Sequence, residues 1–216
     1  MIRLIDVEKT YPTRNGRKTV FENLNYEFRR GENTGVLGPN GAGKSTLMRL
    51  LSGAELPDKG SVERRAQVSW PLGFAGGLHG SLSGRENVAF VSRLYGRDYA
   101  EVLDFVEAFA EIGRNMSNEV KTYSSGMKAR VAFGLSMAIN FDFYLIDEVI
   151  AVGDAAFKRK CRQVLDERLN DATVILVSHS AGLLKDFCQV GCVLEGRELR
   201  SFPKIEEAFK YYEKIS

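Results

Sequence analysis

The sequence predicts an α/β fold built on a mixed sheet. Three observations lead there. Residues 143–146 and 173–177 are short apolar runs without alternation, as central parallel strands require. Helical stretches separate the strand runs in the second half of the chain. A glycine-rich segment, residues 38–43, leaves one apolar run and opens a helical pattern.

The elements follow in order. Residues 2–7 alternate apolar and polar, and residues 20–28 do the same through Val20, Leu24, Tyr26 and Phe28. Turn residues at 12–16 separate them, so the chain opens with an antiparallel lead-in. Residues 33–37 form a short apolar strand, followed by the glycine loop and a helix through Leu47, Leu50 and Leu51 that ends near Gly53. Residues 60–70 read as one or two short strands. Ser83, three residues before Glu86, is placed to cap a helix running to about Tyr95. Residues 99–112 carry Val102, Leu103, Val106, Phe109 and Ala110 at helical spacing. Ser124 or Ser125 opens a long helix to about Ile139, and residues 157–169 form another between the two buried strands. Residues 190–194 and 198–202 make a hairpin around Gly196-Arg197, and 204–215 a terminal amphipathic helix that packs onto the domain.

A chain of 216 residues suits one large domain or two small ones. Hydrophobic residues at 44% and charged residues at 27% exclude a disordered chain. Thirty Lys and Arg against 28 Asp and Glu leave a net charge of +2, which lacks the basic excess of a nucleic-acid binder. The three cysteines, Cys161, Cys188 and Cys192, make no disulfide framework and read as buried reduced thiols. The opening residues lack the apolar stretch of a signal peptide. No run of about 18 apolar residues exists; the nearest, 131–139 and 141–146, is interrupted by Asn140 and Asp142. Work at a membrane therefore calls for a second chain that spans it.

Gly38-Pro39-Asn40-Gly41-Ala42-Gly43-Lys44-Ser45-Thr46 fits the phosphate-loop pattern in its required strand-to-helix setting. Glycines allow successive backbone N–H groups to turn inward as an anion nest, and the helix N-terminus adds positive potential. Lys44 is placed to reach the β- and γ-phosphates of a nucleotide, Ser45 to hold Mg2+, and Thr46 to set a hydroxyl near the α-phosphate. The strand at 143–146 runs into Asp147-Glu148. At the carboxyl end of a parallel strand, Asp147 would hold Mg2+ through water, and Glu148 would polarise a water attacking the γ-phosphate. Tyr123-Ser124-Ser125-Gly126-Met127 puts small residues at a helix start, which alone is also an ordinary cap.

Together these residues resemble the nucleotide-binding subunit of an ABC transporter over nearly the whole chain. The order is Tyr11, the phosphate loop, the signature Tyr123–Met127, the Asp147-Glu148 strand, and Val177-Ser178-His179. The resemblance implies an ABC-type P-loop NTPase, with a RecA-like core, an antiparallel β subdomain and a helical subdomain inserted at about 84–140 of a single domain spanning 1–216. It implies ATP as substrate with Mg2+. It makes His179 the switch histidine, catalytic with Glu148 and Lys44, and puts Asp154 in the loop after the catalytic Glu. It also implies that Tyr11 stacks on adenine; the plainer alternative is a strand-end aromatic packing on the core. Ser124, Ser125 and Gly126 of one copy would close over the γ-phosphate held by another, which makes the working form a homodimer.

The stretches 70–74, 84–88, 123–127 and 147–157 narrow the likeness to ATPases that export polysaccharides, and within them to those of bacterial capsular polysaccharide export. Relatives for O-antigen or teichoic acid are the alternative. The 14 residues given after the final hairpin are too few for an extra carbohydrate-binding domain, so none is expected there. The implied partners are an integral membrane permease, periplasmic and outer-membrane export components and a lipid-linked polysaccharide, at the cytoplasmic face of the inner membrane. Residues 70–93, with Trp70, Phe74, Leu78 and Leu82, would include the permease-facing surface; a plain structured loop fits the same composition. Two departures stand out. The signature has a single glycine after Ser125, and the usual Q-loop Gln is missing near Gly73-Phe74, with Gln67 too early on a strand. A small P-loop kinase and a non-transport ABC ATPase on nucleic acid are the rival readings. The first would not need the Ser124-Ser125-Gly126 helix start. The second needs a coiled coil, for which the 80 residues from Lys44 to Ser124 leave no room.

Overall fold

The structure is a computed structural model that describes residues 1–14, 16–72, 77–147, 155–178 and 180–215. It divides into two compact units, one of residues 1–71, 141–148 and 171–216, the other of residues 72–140 and 149–170.

The first unit begins with β1 (Ile2–Thr13) and β2 (Gly16–Phe28), an antiparallel hairpin, with β4 (Lys59–Arg64) along the other edge of β1. β1 extends six residues beyond its alternating stretch because a bulge interrupts the pattern. Asp6 sits at φ 48°, and the register shifts between Leu4 and Val7. On the β4 side the bulge is met by Gly60 at φ 75°, where a Cβ would lie 2.3 Å from the Ile5 and Asp6 carbonyl oxygens. Only glycine fits there.

A second sheet has strand order β5-β6-β3-β7-β8. Its members are β3 (Thr34–Leu37), β5 (Phe143–Asp147), β6 (Thr173–Val177), β7 (Val190–Glu195) and β8 (Glu198–Phe202). All pairs are parallel except the β7–β8 hairpin. β3 lies in the middle with every residue buried, so its chain leaves the sheet at the carboxyl edge between two neighbours. The next helix, α1 (Lys44–Ser52), puts Leu47, Met48, Leu50 and Leu51 into one core with Ile2, Leu4, Phe21 and Phe28 of the hairpin and Phe143, Leu145 and Ile175 of the second sheet. Burial of these side chains supplies the main driving force, at roughly 1.5–3 kcal/mol each.

Two further helices, α6 (Ala181–Phe187) and α7 (Ile205–Ile215), pack close against this sheet. A Cβ on Gly35 would sit 2.6 Å from Ile205 Cδ1 and 2.8 Å from Leu184 Cδ2. One on Gly191 would sit 2.5 Å from Ala208 Cβ. The two glycines let the helices approach the strands more closely than any side chain would allow.

The second unit is helical. Ser83 caps α2 (Gly84–Leu94) in a capping box with Glu86, and Asp98 caps α3 (Tyr99–Ala110). Ser124 caps α4 (Ser125–Ala138), and α5 (Ala155–Leu169) completes the unit. Phe109 is the hub of its core. It stacks on Phe133 at 5.5 Å between centroids and meets Phe157 edge-on at 5.3 Å. Lys160 Nζ donates to the carbonyls of Ala108 and Phe109 and pairs with Glu111, which neutralises the C-terminus of α3. Among the described residues no helix is long and apolar enough to cross a membrane.

Candidate functional site

The phosphate-loop segment emerges from β3 and turns directly into α1. Gly43 is the N-cap of α1 at φ 113°, and a Cβ there would lie 2.5 Å from Val20 Cγ1. Glycine is therefore required both by the turn and by the close approach of β2. Ala42 N–H closes a turn onto Pro39 O at 3.2 Å, and Leu47 N–H donates to Gly43 O at 2.8 Å to start the helix. The first turn of α1 contains no acid and begins with Lys44, so its potential favours an anion. The far end is also settled. Arg64 of β4 donates through Nε to Leu51 O at 2.8 Å and through its terminal nitrogen to Leu50 O, filling the carbonyls that α1 leaves open. Burial pulls the Arg64 pKa down from its usual value.

Lys44 folds back over the loop. Its Nζ donates to Gly38 O at 2.6 Å and to Pro39 O at 3.0 Å. Those carbonyls hold the ammonium over the mouth of the cradle, where phosphate oxygens would be stronger acceptors.

Sheet register brings the acidic residue to the same place. Asp147 ends β5 opposite Val177 of β6, and Val177 stands opposite Val36 of β3. The carboxyl ends of three neighbouring strands thus meet at the loop, the usual ligand position in an open α/β sheet. A cavity of about 390 Å³ opens there. Asn40, Gly41, Gly43, Lys44, Ser45 and Thr46 line one side, with Asp147 and Val177 at the strand ends and Tyr11, Lys18 and Val20 from the hairpin. Ser45 is exposed and Asp147 half-buried. A hydroxyl and a carboxylate in one cavity beside a phosphate cradle are hard oxygen donors, which fit Mg2+.

Tyr11 borders this cavity with its hydroxyl anchored. It donates to Glu55 Oε2 at 2.7 Å, accepts from an Arg49 terminal nitrogen at 3.1 Å, and lies 3.4 Å from Thr46 Oγ1. Burial works to raise the Glu55 carboxyl pKa. Hydrogen bonds from Tyr11 and Lys9, with the charges of Lys9 and Arg49, outweigh it and hold the carboxyl below its usual range.

The signature segment belongs to the second unit. Ser124 is the N-cap of α4, with its Oγ accepting from Met127 N–H at 3.2 Å. Both Ser124 and Ser125 are exposed. Tyr123 is buried, donating its hydroxyl to Asn115 O at 2.7 Å and accepting from Gly84 N–H at 3.2 Å, which fixes the approach to the helix. Around Gly126 a Cβ would meet nothing nearer than Ser124 Oγ at 3.9 Å. Nothing within the described chain demands glycine at that position.

The structure therefore brings together Tyr11, Gly38 and Asn40 through Thr46, and Asp147 in one unit. It sets Ser124, Ser125 and Gly126 on the helix start expected of them in the other. Glu148, Asp154 and His179 lie outside the described residues, as do Gly73 and Phe74. Trp70, expected at a permease-facing surface, is half-buried and packs edge-on to Phe141 at 5.4 Å between centroids. Lys18, Arg49 and Glu55 carry no motif and are missing from the sequence reading. Lys18 had a usable signal: closing the hairpin tightly before Gly16 puts it directly opposite Tyr11. Glu55 had none, since its bond to Tyr11 spans 44 residues.

Comparison with known proteins gives the family and the fold. The family described as ABC transporter matches residues 21–151. The chain is 48% identical to the polysialic acid transport ATP-binding protein KpsT of Escherichia coli, over 99% of both chains. It is 47% identical to the capsule polysaccharide export ATP-binding protein CtrD of Neisseria meningitidis serogroup B, over 100% of both. Its fold matches the dimeric post-hydrolysis structure of the ATP-binding cassette MJ0796 bound to ADP and Pi, with a TM-score of 0.75, 22% identity, and coverage of 94% of this chain and 98% of the other. The chain belongs to the ABC transporter family, as an ATP-binding domain of that family.

Proposed function

We propose that this chain is the ATP-hydrolysing subunit that powers export of a capsular polysaccharide across the bacterial inner membrane, working as a homodimer at the cytoplasmic face beneath a separate permease. The ATPase reading rests on one observation: Lys44, Ser45, Asp147 and Tyr11 line a single cavity at the carboxyl ends of β3, β5 and β6. The polysaccharide reading is supported by identity near one half along the full length of KpsT and CtrD, whose names give polysialic acid and capsule polysaccharide as what they move.

In this reading the residues divide the work of phosphoryl transfer, which is mostly positioning and charge neutralisation. The loop N–H groups and Lys44 hold the β- and γ-phosphates, with Lys44 exchanging its two loop carbonyls for phosphate oxygens. Ser45 and Asp147 would hold Mg2+, which would neutralise charge developing on the phosphates. Glu148, next after Asp147, takes a proton from the attacking water. His179, two residues after β6 in the sequence, would contact the γ-phosphate. Ser124 and Ser125 of the partner protomer close over the same phosphate, and Asp154 contacts the partner. Ser124 spends an oxygen lone pair on its own helix, so its hydroxyl proton remains to donate outward. The unexplained Gly126 supports a closing partner, since the space beside it is open among the described residues. Closing and opening of the pair would move the permease helices.

The test pairs chemistry with export. Purified protein with Mg2+ and ATP should release phosphate, and deleting the gene should strip the polysaccharide from the cell surface while it accumulates inside. Phosphoryl transfer to added nucleoside monophosphates, with normal surface polysaccharide in the deletion strain, would replace this reading with a small kinase.

A further inference from the structure

A base-stacking ring works best when it is held in one orientation before the ligand arrives, because ordering it afterwards costs affinity. Tyr11 stands at the rim of the cavity near the end of β1, where an unanchored side chain would turn freely. Its hydroxyl proton is instead committed to Glu55, and its oxygen accepts from Arg49.

The anchors are themselves held. Glu55 Oε2 also takes Arg49 Nε at 3.0 Å, and Glu55 Oε1 pairs with Lys9 Nζ at 3.0 Å. Lys9 is only 8% exposed, and its Nζ also donates to Leu56 O at 2.8 Å and to Asp58 Oδ1 at 3.2 Å. Asp58 Oδ2 takes the Thr10 N–H at 2.7 Å. The segment after α1 is thereby stitched to β1 immediately before Tyr11. On the other side, the Arg49 terminal nitrogen that donates to Tyr11 also donates to Thr46 Oγ1 at 3.3 Å. One guanidinium joins the aromatic wall to the first turn of the phosphate-binding helix.

We propose that Glu55 and Arg49 are positioning residues that lock the Tyr11 ring as the platform for the nucleobase and tie it to the phosphate cradle through Thr46. This rests on the nucleotide reading of the cavity. With its hydroxyl committed inside the protein, Tyr11 offers the base its ring face and no hydrogen bond. Loosening the lock therefore weakens the contribution of the base and leaves that of the phosphates.

The experiment measures Kd by calorimetry, with Mg2+, for ATP and for inorganic tripolyphosphate. The proteins are the wild type, Glu55→Ala, Tyr11→Phe and the double variant. Each single change should weaken ATP roughly three- to tenfold, and the double variant no further than the weaker-binding single, because both remove one bond. Tripolyphosphate affinity should stay within about twofold of wild type, which a general loss of folding would not allow. Should Glu55→Ala fail to fold, Tyr11→Phe carries the comparison alone. Wild-type ATP affinity in the folded variants overturns the proposal, and so does an equal loss for both ligands. Wild-type protein that binds tripolyphosphate as tightly as ATP also overturns it, while leaving the phosphate site intact. Wild-type protein that binds neither removes the nucleotide reading itself.

Discussion

Asp147 and Val177 stand opposite each other at the carboxyl ends of β5 and β6, and that register sets the carboxylate at the phosphate loop. Val177 in turn faces Val36, one residue before β3 ends and two before the loop begins at Gly38. Asp147→Asn preserves shape and removes charge. It should cut ATP turnover about a hundredfold, with the loss only partly recovered by raising Mg2+. Steady-state phosphate release across a Mg2+ series measures this; turnover within twofold of wild type (about 0.4 kcal/mol) would remove Asp147 from the site.

Gly126 separates folding from function. Its Cβ direction is open among the described residues, so Gly126→Val should leave unfolding free energy within about 0.5 kcal/mol of wild type. If a partner's nucleotide closes over α4, the same change should lower turnover about a hundredfold by displacing that contact. Urea unfolding and phosphate release on the same preparation give both numbers. A variant with full activity would mean that nothing approaches Gly126.

Gly191 behaves in the opposite way. Adding a Cβ would drive it to 2.5 Å from Ala208 Cβ, and Ala208 has no rotamer with which to move aside. Gly191→Ala should therefore cost about 1–3 kcal/mol as α7 is pushed off the sheet. Chemical denaturation measures it, and a neutral result would mean that α7 is not seated as described.

These contrasts show what was legible in the sequence. β6 is Thr173–Val177 in the structure, as a β-rich run without alternation indicates, and Ser124 caps α4 as a serine before a helix should. The opening strand and Tyr11 near its end were legible, but the bulge at Asp6 and the register shifts at Val7/Lys9 and Lys9/Thr10 were not, because they depend on the pairing with β2. α6 went unseen because seven residues hold too few turns for a periodic signal. The phosphate loop was fully readable, since its backbone chemistry dictates residue types at fixed spacing. The Glu55–Tyr11 bond was not, because a tertiary contact leaves no local pattern.

The cysteines give a pH prediction. Burial pushes the Cys161 thiol up to about 11 and the Cys188 and Cys192 thiols up to about 12. An unfolded thiol titrates near ~8.5. The native state thus keeps protons that the unfolded chain releases, so stability is unaffected below about pH 8.5 and falls as pH rises above it. At pH 8 a thiol-reactive dye should label none of the three in native protein and all three in denaturant. Rapid native labelling would contradict their burial.

The central claim is that ATP is clasped between two copies of this chain and released by hydrolysis. Glu148→Gln tests it most directly, through the mass measured by light scattering with and without saturating ATP and Mg2+. The account predicts a monomer without nucleotide, a stable dimer with it, and no phosphate release. A monomer in saturating ATP, or hydrolysis at the wild-type rate, would contradict it.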